Sequence, residues 1–224
     1  MRNRKVTDYI KLYFSEKKLI YDHPNFPKDA IANIFEEVWK TYENNGTIYA
    51  CGNGGNAAFV ANLITDLANH PFVSDDKLKP LSSEIPRLRT TDLCASSASI
   101  TGIMNDLGPE YIFSQQLIND KITERDLVFG FTGSGNSKNV LEAFGIARRY
   151  SAKSIAITRG DGGKAKNIAD YCLIIPGTSK FPGQVGGNDN NFHYEDLTSE
   201  IAHIITGLMR KRISEKYGDK HKDS

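Results

Sequence analysis

The sequence predicts an α/β protein, a three-layer αβα sandwich with a central, mainly parallel sheet and extra helices at its amino terminus. Three observations support this fold class: short uninterrupted apolar runs, amphipathic segments between them, and glycine-rich loops after the strands. Continuous apolar runs are typical of strands buried on both faces, and parallel strands need helical crossovers. The predicted strands are residues 47–51, 127–131, 154–158 and 171–175, and the predicted helices are 57–69, 111–117, 139–150 and 196–213.

Residues 1–45 are predicted to form two amphipathic helices on either side of a proline-containing break at residues 22–27. Apolar residues recur at helical spacing in both. They are Val6, Tyr9, Ile10, Tyr13 and Phe14 in the first, and Ile31, Ile34, Phe35, Val38, Trp39 and Tyr42 in the second. Such stripes need cover, from the following domain or from another copy, and we expect contacts between copies. The remaining chain is predicted to be one domain, 46–214, and a polar tail, 215–224.

Composition excludes several classes of protein. The chain of 224 residues is 39% hydrophobic, enough for one sizeable core, and 28 Lys and Arg balance 27 Asp and Glu. A net charge of +1 gives no field for nucleic acid or an anionic membrane, so neither is an expected partner. Three widely spaced cysteines and the lack of a signal-peptide or transmembrane run predict a soluble, reduced, cytoplasmic protein.

Two loops, each between a predicted strand and a predicted helix, indicate a phosphorylated ligand. The first glycine loop is residues 51–56 (Cys-Gly-Asn-Gly-Gly-Asn), and the second glycine loop is residues 132–137 (Thr-Gly-Ser-Gly-Asn-Ser). Glycines let backbone N–H groups face an anion, and a helix amino terminus adds free donors. For Ser134 and Ser137 the alternative role is helix capping. The first loop lacks the Gly-x-Gly-x-x-Gly spacing of dinucleotide-binding proteins.

Two further segments are predicted from glycine content. Residues 159–163 (Arg-Gly-Asp-Gly-Gly) follow a predicted strand and are interpreted as a tight strand-to-helix connection. Residues 176–191 contain four glycines and three asparagines, and we expect a long loop that acts as a lid before the last helix.

Four ordered segments give the chain a family resemblance. They are Gly52-Asn53-Gly54-Gly55, Asn105-Asp106-Leu107-Gly108, Ser134-Gly135-Asn136-Ser137 and Gly160-Asp161-Gly162-Gly163. In order and spacing they resemble the sugar isomerase (SIS) domain proteins of the phosphoheptose isomerase group. The resemblance implies a homotetrameric enzyme that converts sedoheptulose 7-phosphate to D-glycero-D-manno-heptose 7-phosphate through an enediol, in heptose biosynthesis for surface polysaccharide.

The resemblance also implies a set of substrate-binding and phosphate-binding positions. In this chain they are Asn53, Gly54, Gly55, Asn56, Thr132, Gly133, Ser134 and Ser137. Three positions depart from the family pattern. Asn56 replaces the usual Ser, Gly133 replaces a common Thr, and Ser96 stands where an Asp is usual. From Gly133 and Ser96 we expect a sugar-hydroxyl contact to be lost or moved, and together with Asn62 these departures leave room for an altered substrate.

Family catalysis uses a divalent metal, typically zinc, held by His and Glu four residues apart on one helix and by Gln and His eight residues apart on the last. Those places hold Asn62, Asp66, Glu195 and His203. Asparagine is a poor zinc ligand, whereas the Glu in place of Gln adds a carboxylate. The implied metal ligands are therefore Asp66, Glu195 and His203, with Asn62 at the fourth position.

Isomerisation through an enediol needs a base, an acid and a donor near the developing oxyanion. The catalytic residues that the resemblance implies are Asp66, His203 and Glu195. Imidazole suits proton transfer because histidine ordinarily titrates near neutral pH. Without the resemblance, a lone histidine among isoleucines on this helix would be a core or interface residue. His193, beside Tyr194, is a candidate replacement for the missing imidazole.

A second hypothesis assigns the chain to a different class. It is a non-catalytic SIS-fold protein that binds a phosphosugar or a protein partner and acts in regulation. The asparagine at position 62 favours this hypothesis, because a family metal ligand is lost. The retained His203 and the two carboxylates oppose it. Turnover, and its dependence on His203, discriminates between the two.

Overall fold

Five parallel strands form the central sheet of the computed structural model, which describes residues 5–74, 76–184 and 189–218. The strands are β1 (Thr47–Gly52), β2 (Arg89–Asp92), β3 (Leu127–Phe131), β4 (Lys153–Arg159) and β5 (Tyr171–Ile175). Their order across the sheet is β2-β1-β3-β4-β5, with Tyr49 opposite Val128 and Phe129 opposite Ile155 in the register. The loops after β1, β3 and β4 therefore emerge side by side at one edge.

Helices cover both faces of this sheet. They are α1 (Val6–Tyr21), α2 (Lys28–Glu43), α3 (Gly55–Asn69), α4 (Ser97–Asp106), α5 (Ser114–Asn119), α6 (Lys138–Arg149), α7 (Ala165–Ile168) and α8 (Asn191–Tyr217). Alternate strand residues supply two cores: Ile48 and Phe129 pack with α2, α3 and α8, whereas Tyr49 and Val128 pack with α5 and α6. The predicted three-layer αβα sandwich is confirmed.

The four predicted strands are present, within one residue or so of the expected bounds, but two elements were not predicted. Strand β2 (Arg-Thr-Thr-Asp) lies at the edge of the sheet, and helix α4 has no buried residue. Helix α8 begins at Asn191, five residues before the predicted start, and contains the predicted last helix.

The amino-terminal helices differ in how they pack. The apolar stripe of α2 is buried in the chain's own core, with Ile34 and Val38 fully buried, rather than being left for contacts between copies. Helix α1 buries little apolar surface and leaves Val6, Ile10 and Phe14 at least half exposed.

Polar bonds hold α1 against the carboxyl-terminal part of the chain. The Glu16 carboxylate accepts hydrogen bonds from the Ser179 hydroxyl at 2.5 Å and the Lys180 N–H at 2.7 Å, and lies 3.2 Å from His193 Nε2. Tyr13 and Lys17 of α1 contact Asp196 of α8. Residues 176–184 are thus fixed in part by α1, and the predicted lid over residues 176–191 lies partly outside the described residues.

Within the residue ranges given above, no helix combines the length and the apolar character that a membrane span requires. The cysteines at 51, 94 and 172 are free thiols, and burial raises the pKa of the Cys51 thiol well above its usual value.

Candidate functional site

The two glycine loops lie next to each other because β1 and β3 are neighbouring strands. The Asn53 and Asn139 carboxamides join them through two reciprocal hydrogen bonds of 2.9 and 2.8 Å. Gly54, with φ of +58°, turns the chain into α3, whose first residue is Gly55. A cavity of about 350 Å³ opens beside this junction. Its lining residues are Asn53, Pro109, Glu110, Ser137, Lys138 and Asn139.

Hydroxyl groups cluster in the second glycine loop. The Thr132 and Ser137 hydroxyl oxygens are 3.0 Å apart, and Thr132 is buried. Ser137 precedes α6 but makes no capping hydrogen bond, so the capping alternative does not describe its side chain. Ser134 is exposed and its hydroxyl accepts a hydrogen bond from the Asn136 N–H at 3.2 Å. The loop can therefore present hydroxyls and backbone N–H groups to a phosphate.

The third glycine turn, residues 159–163, supports the second loop from its side. A Cβ on Gly135, which has φ of +65°, would lie 2.0 Å from the Gly162 carbonyl oxygen. The Ala165 N–H donates to the Gly135 carbonyl at 2.9 Å, and the Lys164 N–H donates to the Asn136 side chain at 3.1 Å. This turn is the predicted strand-to-helix connection, leading from β4 into α7.

The start of α8 contacts both glycine loops. The hydroxyl oxygen of fully buried Tyr194 lies 3.0 Å from Asn56 Oδ1 in the first loop. A Cβ on Gly133 in the second loop would lie 3.4 Å from the Tyr194 ring and 3.3 Å from Asn191 Oδ1. Asn56 and Gly133 therefore face α8, whereas Asn53 and Ser137 face the cavity.

Helices α3 and α8 bring three of the predicted residues together. A second cavity of about 340 Å³ is lined by Asn62, Asp66, His70, His203, Thr206, Gly207 and Arg210. In it, His203 Nε2 lies 3.5 Å from Asp66 Oδ2, and the Asn62 Nδ2 donates to the same oxygen at 3.3 Å. The His203 side chain is 60% exposed, so its imidazole is accessible from the cavity. Asp66 and His203 thus lie next to each other in this cavity, without Glu195.

Glu195 lies near the other end of α3. One carboxylate oxygen accepts a hydrogen bond from Asn191 Nδ2 at 2.8 Å and lies 2.9 Å from where a Cβ of Gly55 would be. Glu195 and His203 are eight residues apart on α8, about 12 Å along the helix axis.

The donor set does not fit zinc as it is arranged. A zinc site in proteins needs three or four nitrogen, oxygen or sulfur ligands at about 2 Å. Asp66 and His203 converge, but Glu195 points elsewhere, and Asn62 offers a carboxamide. Among the residues that the structure describes, no group of three His, Cys, Asp or Glu is placed to hold a metal ion.

Other sequence-based interpretations are resolved by position. His193 is fully buried against Glu16 and the Tyr13 ring, so it does not replace the missing imidazole. Ser96 caps α4, with its hydroxyl accepting from the Ser99 N–H at 3.1 Å. Asp196 and Glu200 form ion pairs with Lys17.

Several residues near the site were not predicted. Lys138 and Asn139 directly follow the second glycine loop, and Glu110 follows the Asn105–Gly108 segment, so adjacency to recognised motifs was a usable signal. Arg159 directly precedes the Gly160–Gly163 segment and so gave the same signal, whereas the proximity of Tyr194 to the loops depends on how α8 packs on the sheet.

Comparisons with known proteins agree with this geometry. A family model described as "SIS domain" matches residues 17–159. The phosphoheptose isomerase of Chlorobium limicola is 36% identical over 177 residues, 79% of this chain and 73% of that protein. The phosphoheptose isomerase of Helicobacter pylori is 34% identical over 84% of this chain and 87% of its own length.

Solved structures are similar in fold. A phosphoheptose isomerase from Francisella tularensis superposes with a TM-score of 0.77 at 25% identity, over 93% of this chain and 100% of that chain. The enzyme from Neisseria gonorrhoeae gives a TM-score of 0.75 over 92% and 100%, at 21% identity. The chain belongs to the SIS domain family, in the group of the phosphoheptose isomerases.

Proposed function

We propose that this chain is a phosphosugar aldose–ketose isomerase that converts sedoheptulose 7-phosphate to D-glycero-D-manno-heptose 7-phosphate through an enediol. The observation that carries the proposal is the placement of a hydroxyl-rich loop and an acid–base pair along one helix. The first glycine loop leads into α3 with the hydroxyl-rich second loop beside it, and Asp66 lies near the end of α3, where it meets His203 of α8. The relatives from Chlorobium limicola and Helicobacter pylori are both phosphoheptose isomerases, which supports the seven-carbon substrate.

The direction of α3 suits an open-chain sugar phosphate, because the helix leads from the first glycine loop toward the Asp66–His203 pair. Asn62 and Asp66 are six and ten residues beyond Asn56, about 9 and 15 Å along the helix axis. An extended seven-carbon chain held by its phosphate at the second glycine loop can place its first two carbons toward the Asp66–His203 pair. The remote phosphate then supplies binding energy that orients the reacting carbons.

In this arrangement Asp66 and His203 carry the proton transfers. We assign the Asp66 carboxylate to the proton that moves between the first and second carbons. We assign His203 Nε2, 3.5 Å from that carboxylate, to the proton that moves between the two oxygens. The Asn62 amide, which donates to Asp66 at 3.3 Å, holds the carboxylate in place.

Glu195 has a different position and therefore a different role. Its carboxylate lies at the amino terminus of α3, where the helix dipole stabilises negative charge. It lies beside the first glycine loop, and we assign it to hydrogen bonds with sugar hydroxyls.

Zinc remains a prediction that the side-chain arrangement does not support. Only two of the implied ligands, Asp66 and His203, converge, so we route no proton transfer through a metal. Metal analysis of the purified protein tests the prediction directly. A homotetrameric assembly and a cytoplasmic location likewise rest on the resemblance and on composition.

Label exchange tests the proposed reaction. Incubation with sedoheptulose 7-phosphate in deuterated water, followed by NMR, is expected to give deuterium at C2 of a new heptose 7-phosphate. His203→Ala should slow turnover by about 10²- to 10⁴-fold, the usual contribution of a general acid or base, and leave phosphosugar binding intact. His23→Ala, in the connection between α1 and α2, is the matched control and should retain full turnover.

Two outcomes would count against isomerase activity. Saturable phosphosugar binding without exchange, with or without added zinc, would favour the non-catalytic regulatory protein. Exchange that persists at full rate in His203→Ala would move the acid–base chemistry away from the α3–α8 cavity.

A further inference from the structure

We propose that Arg159 supplies the positive charge of the phosphate site at the second glycine loop, and that glycine at position 133 is required to make room for it. The proposal rests on the proposed function in one respect, that the ligand carries a phosphate. It adds a specificity-determining residue outside the glycine loops.

Arg159 occupies the edge of the sheet where ligands bind in open parallel sheets. It is the last residue of β4, the strand beside β3, and the second glycine loop follows β3 directly. The Arg159 backbone N–H donates to the Gly133 carbonyl at 3.1 Å, which fixes the residue against the loop.

The side chain of Arg159 lies where a side chain at position 133 would point. A Cβ on Gly133 would be 3.2 Å from Arg159 Nε, tighter than ordinary van der Waals contact. Any side chain at position 133 would therefore require Arg159 to shift, and a branched one such as threonine would require the larger shift. The absence of a side chain at Gly133 and the position of the Arg159 guanidinium are therefore coupled in this structure.

The electrostatic surroundings favour an anion next to this guanidinium. Residues 132–137 carry hydroxyls and backbone donors but no charged side chain. Arg159 is 6% exposed, so its charge is weakly screened by water. Its Nη1 lies 3.3 Å from Asp189, whose side chain is 41% exposed, and 3.4 Å from Asn190. A phosphate dianion in the loop would gain from a nearby buried guanidinium.

Lys138 is the alternative source of positive charge. It is the first residue of α6, is exposed, and lines the cavity of about 350 Å³ beside Ser137. A solvated ammonium contributes less than a buried guanidinium, because water screens it. The two assignments therefore predict different effects on the phosphate Kd: the larger loss should follow from replacing whichever residue, Arg159 or Lys138, supplies the charge.

Calorimetric titration with inorganic phosphate, and separately with sedoheptulose 7-phosphate, tests the proposal on the full chain. Arg159→Met should raise the phosphate Kd by about tenfold to a hundredfold, and Arg159→Lys should recover part of the loss. Lys138→Met should change it by less than threefold. Arg89→Met is the control. Arg89 begins β2, an outer strand separated from β4 by β1 and β3, so this substitution should leave the phosphate Kd unchanged.

Two further variants distinguish an electrostatic role of Arg159 in phosphate binding from a purely structural role. Asp189→Asn removes the partner carboxylate but keeps Arg159, so it should tighten phosphate binding, whereas loss of a structural ion pair would weaken it. Gly133→Thr should weaken binding as Arg159→Met does. In the Arg159→Ala background, Gly133→Thr should cause no further loss, a non-additivity that shows the two positions are coupled.

Several results would overturn the proposal. They are a Kd unchanged in Arg159→Met, a larger loss in Lys138→Met, weaker binding in Asp189→Asn, additive losses for positions 133 and 159, or no measurable phosphate binding by the unaltered chain. Failure of the proposed function would give a different result. The phosphate Kd would still rise in Arg159→Met, but no sugar phosphate would undergo isotope exchange.

Discussion

Asn62 determines which chemistry the α3–α8 cavity can support. Its carboxamide lies one turn from Asp66 and donates a hydrogen bond to that carboxylate, which in turn lies 3.5 Å from His203. An imidazole at the same position would offer a nitrogen ligand in place of an amide donor. One residue thus separates a hydrogen-bonded acid–base pair from a set of three convergent metal donors.

Asn62→His is expected to create a zinc site. The variant would place two histidines and Asp66 around one point of the cavity, a ligand set found in zinc enzymes. Zinc affinity, measured by competition with a chromogenic chelator, should rise at least tenfold over that of the unaltered chain. Asn62→Gln is the control, since it keeps a carboxamide, and equal affinities for both variants would contradict the prediction.

Individual site residues were predictable to the extent that helical spacing decides their position. Asn62, Asp66 and His203 were expected in one cavity, and they are, because positions four residues apart on α3 share a face. Glu195 was expected with them, but its carboxylate binds Asn191 at the start of α8. The rotamer of a carboxylate side chain depends on which neighbouring residues contact it, and the sequence alone does not show which contacts form.

At the scale of elements, the contact between β3 and α6 leaves no room for a side chain at Gly130. A Cβ there would lie 2.3 Å from the Phe144 ring and 2.6 Å from Val140, both fully buried. Gly130→Ala should therefore lower the free energy of unfolding by about 1–3 kcal/mol. Urea denaturation measures this loss.

Gly145, on the exposed side of the same α6 helix, provides the opposite case. Apart from its chain neighbours and the nearby backbone of α6 itself, no atom of the described residues lies within 4 Å of its would-be Cβ. Gly145→Ala should raise the free energy of unfolding by about 0.5–1 kcal/mol, because alanine loses less backbone entropy in a helix. Equal effects of the two substitutions would contradict the packing described for β3 and α6.

Docking of α1 on α8 should depend on pH through Glu16. Burial alone would raise the pKa of this carboxyl, but hydrogen bonds from Ser179, the Lys180 N–H and His193 outweigh it, and the pKa is lowered from its ordinary 4.5. A lowered pKa in the folded state stabilises the fold above about pH 4.5, and this contribution disappears as the pH falls through the lowered value.

Glu16→Gln tests this dependence. At pH 7 the variant should unfold at lower urea concentration than the unaltered chain, and the difference should vanish in acid. Glu142→Gln, an exposed glutamate on α6, should show no such difference at either pH. If the difference in unfolding urea concentration between Glu16→Gln and the unaltered chain stayed constant with pH, the stabilising role of the Glu16 carboxylate would be contradicted.

The elements missed from sequence share a physical cause. Strand β2 is four residues, Arg-Thr-Thr-Asp, and lies at the sheet edge, where no residue is fully buried and no apolar run is needed. Helix α4 buries no residue, so it carries no apolar stripe that periodicity detects. The buried strands β1, β3, β4 and β5 were predictable because burial on both faces requires continuous apolar residues.

At the scale of the whole molecule, the exposed apolar residues include groups on α1 and α4. Helix α1 presents Val6, Ile10 and Phe14, and α4 presents Met104 with Leu107 at its end. Exposed apolar rows of this kind favour contacts between copies. Light scattering at micromolar concentration should give four times the 24.9 kDa of one chain. A mass of 24.9 kDa alone would contradict the predicted homotetramer.

The bonds between α1 and α8 join parts of the chain that are far apart in sequence. Glu16 and Ser179 are separated by 163 residues, and Tyr13 and Asp196 by 183. During synthesis on the ribosome, α1 therefore emerges well before its docking surface exists. Nascent chains carry an undocked, partly apolar amino-terminal helix until α8 leaves the exit tunnel, and a chain truncated before α8 presents that helix permanently to chaperones and proteases.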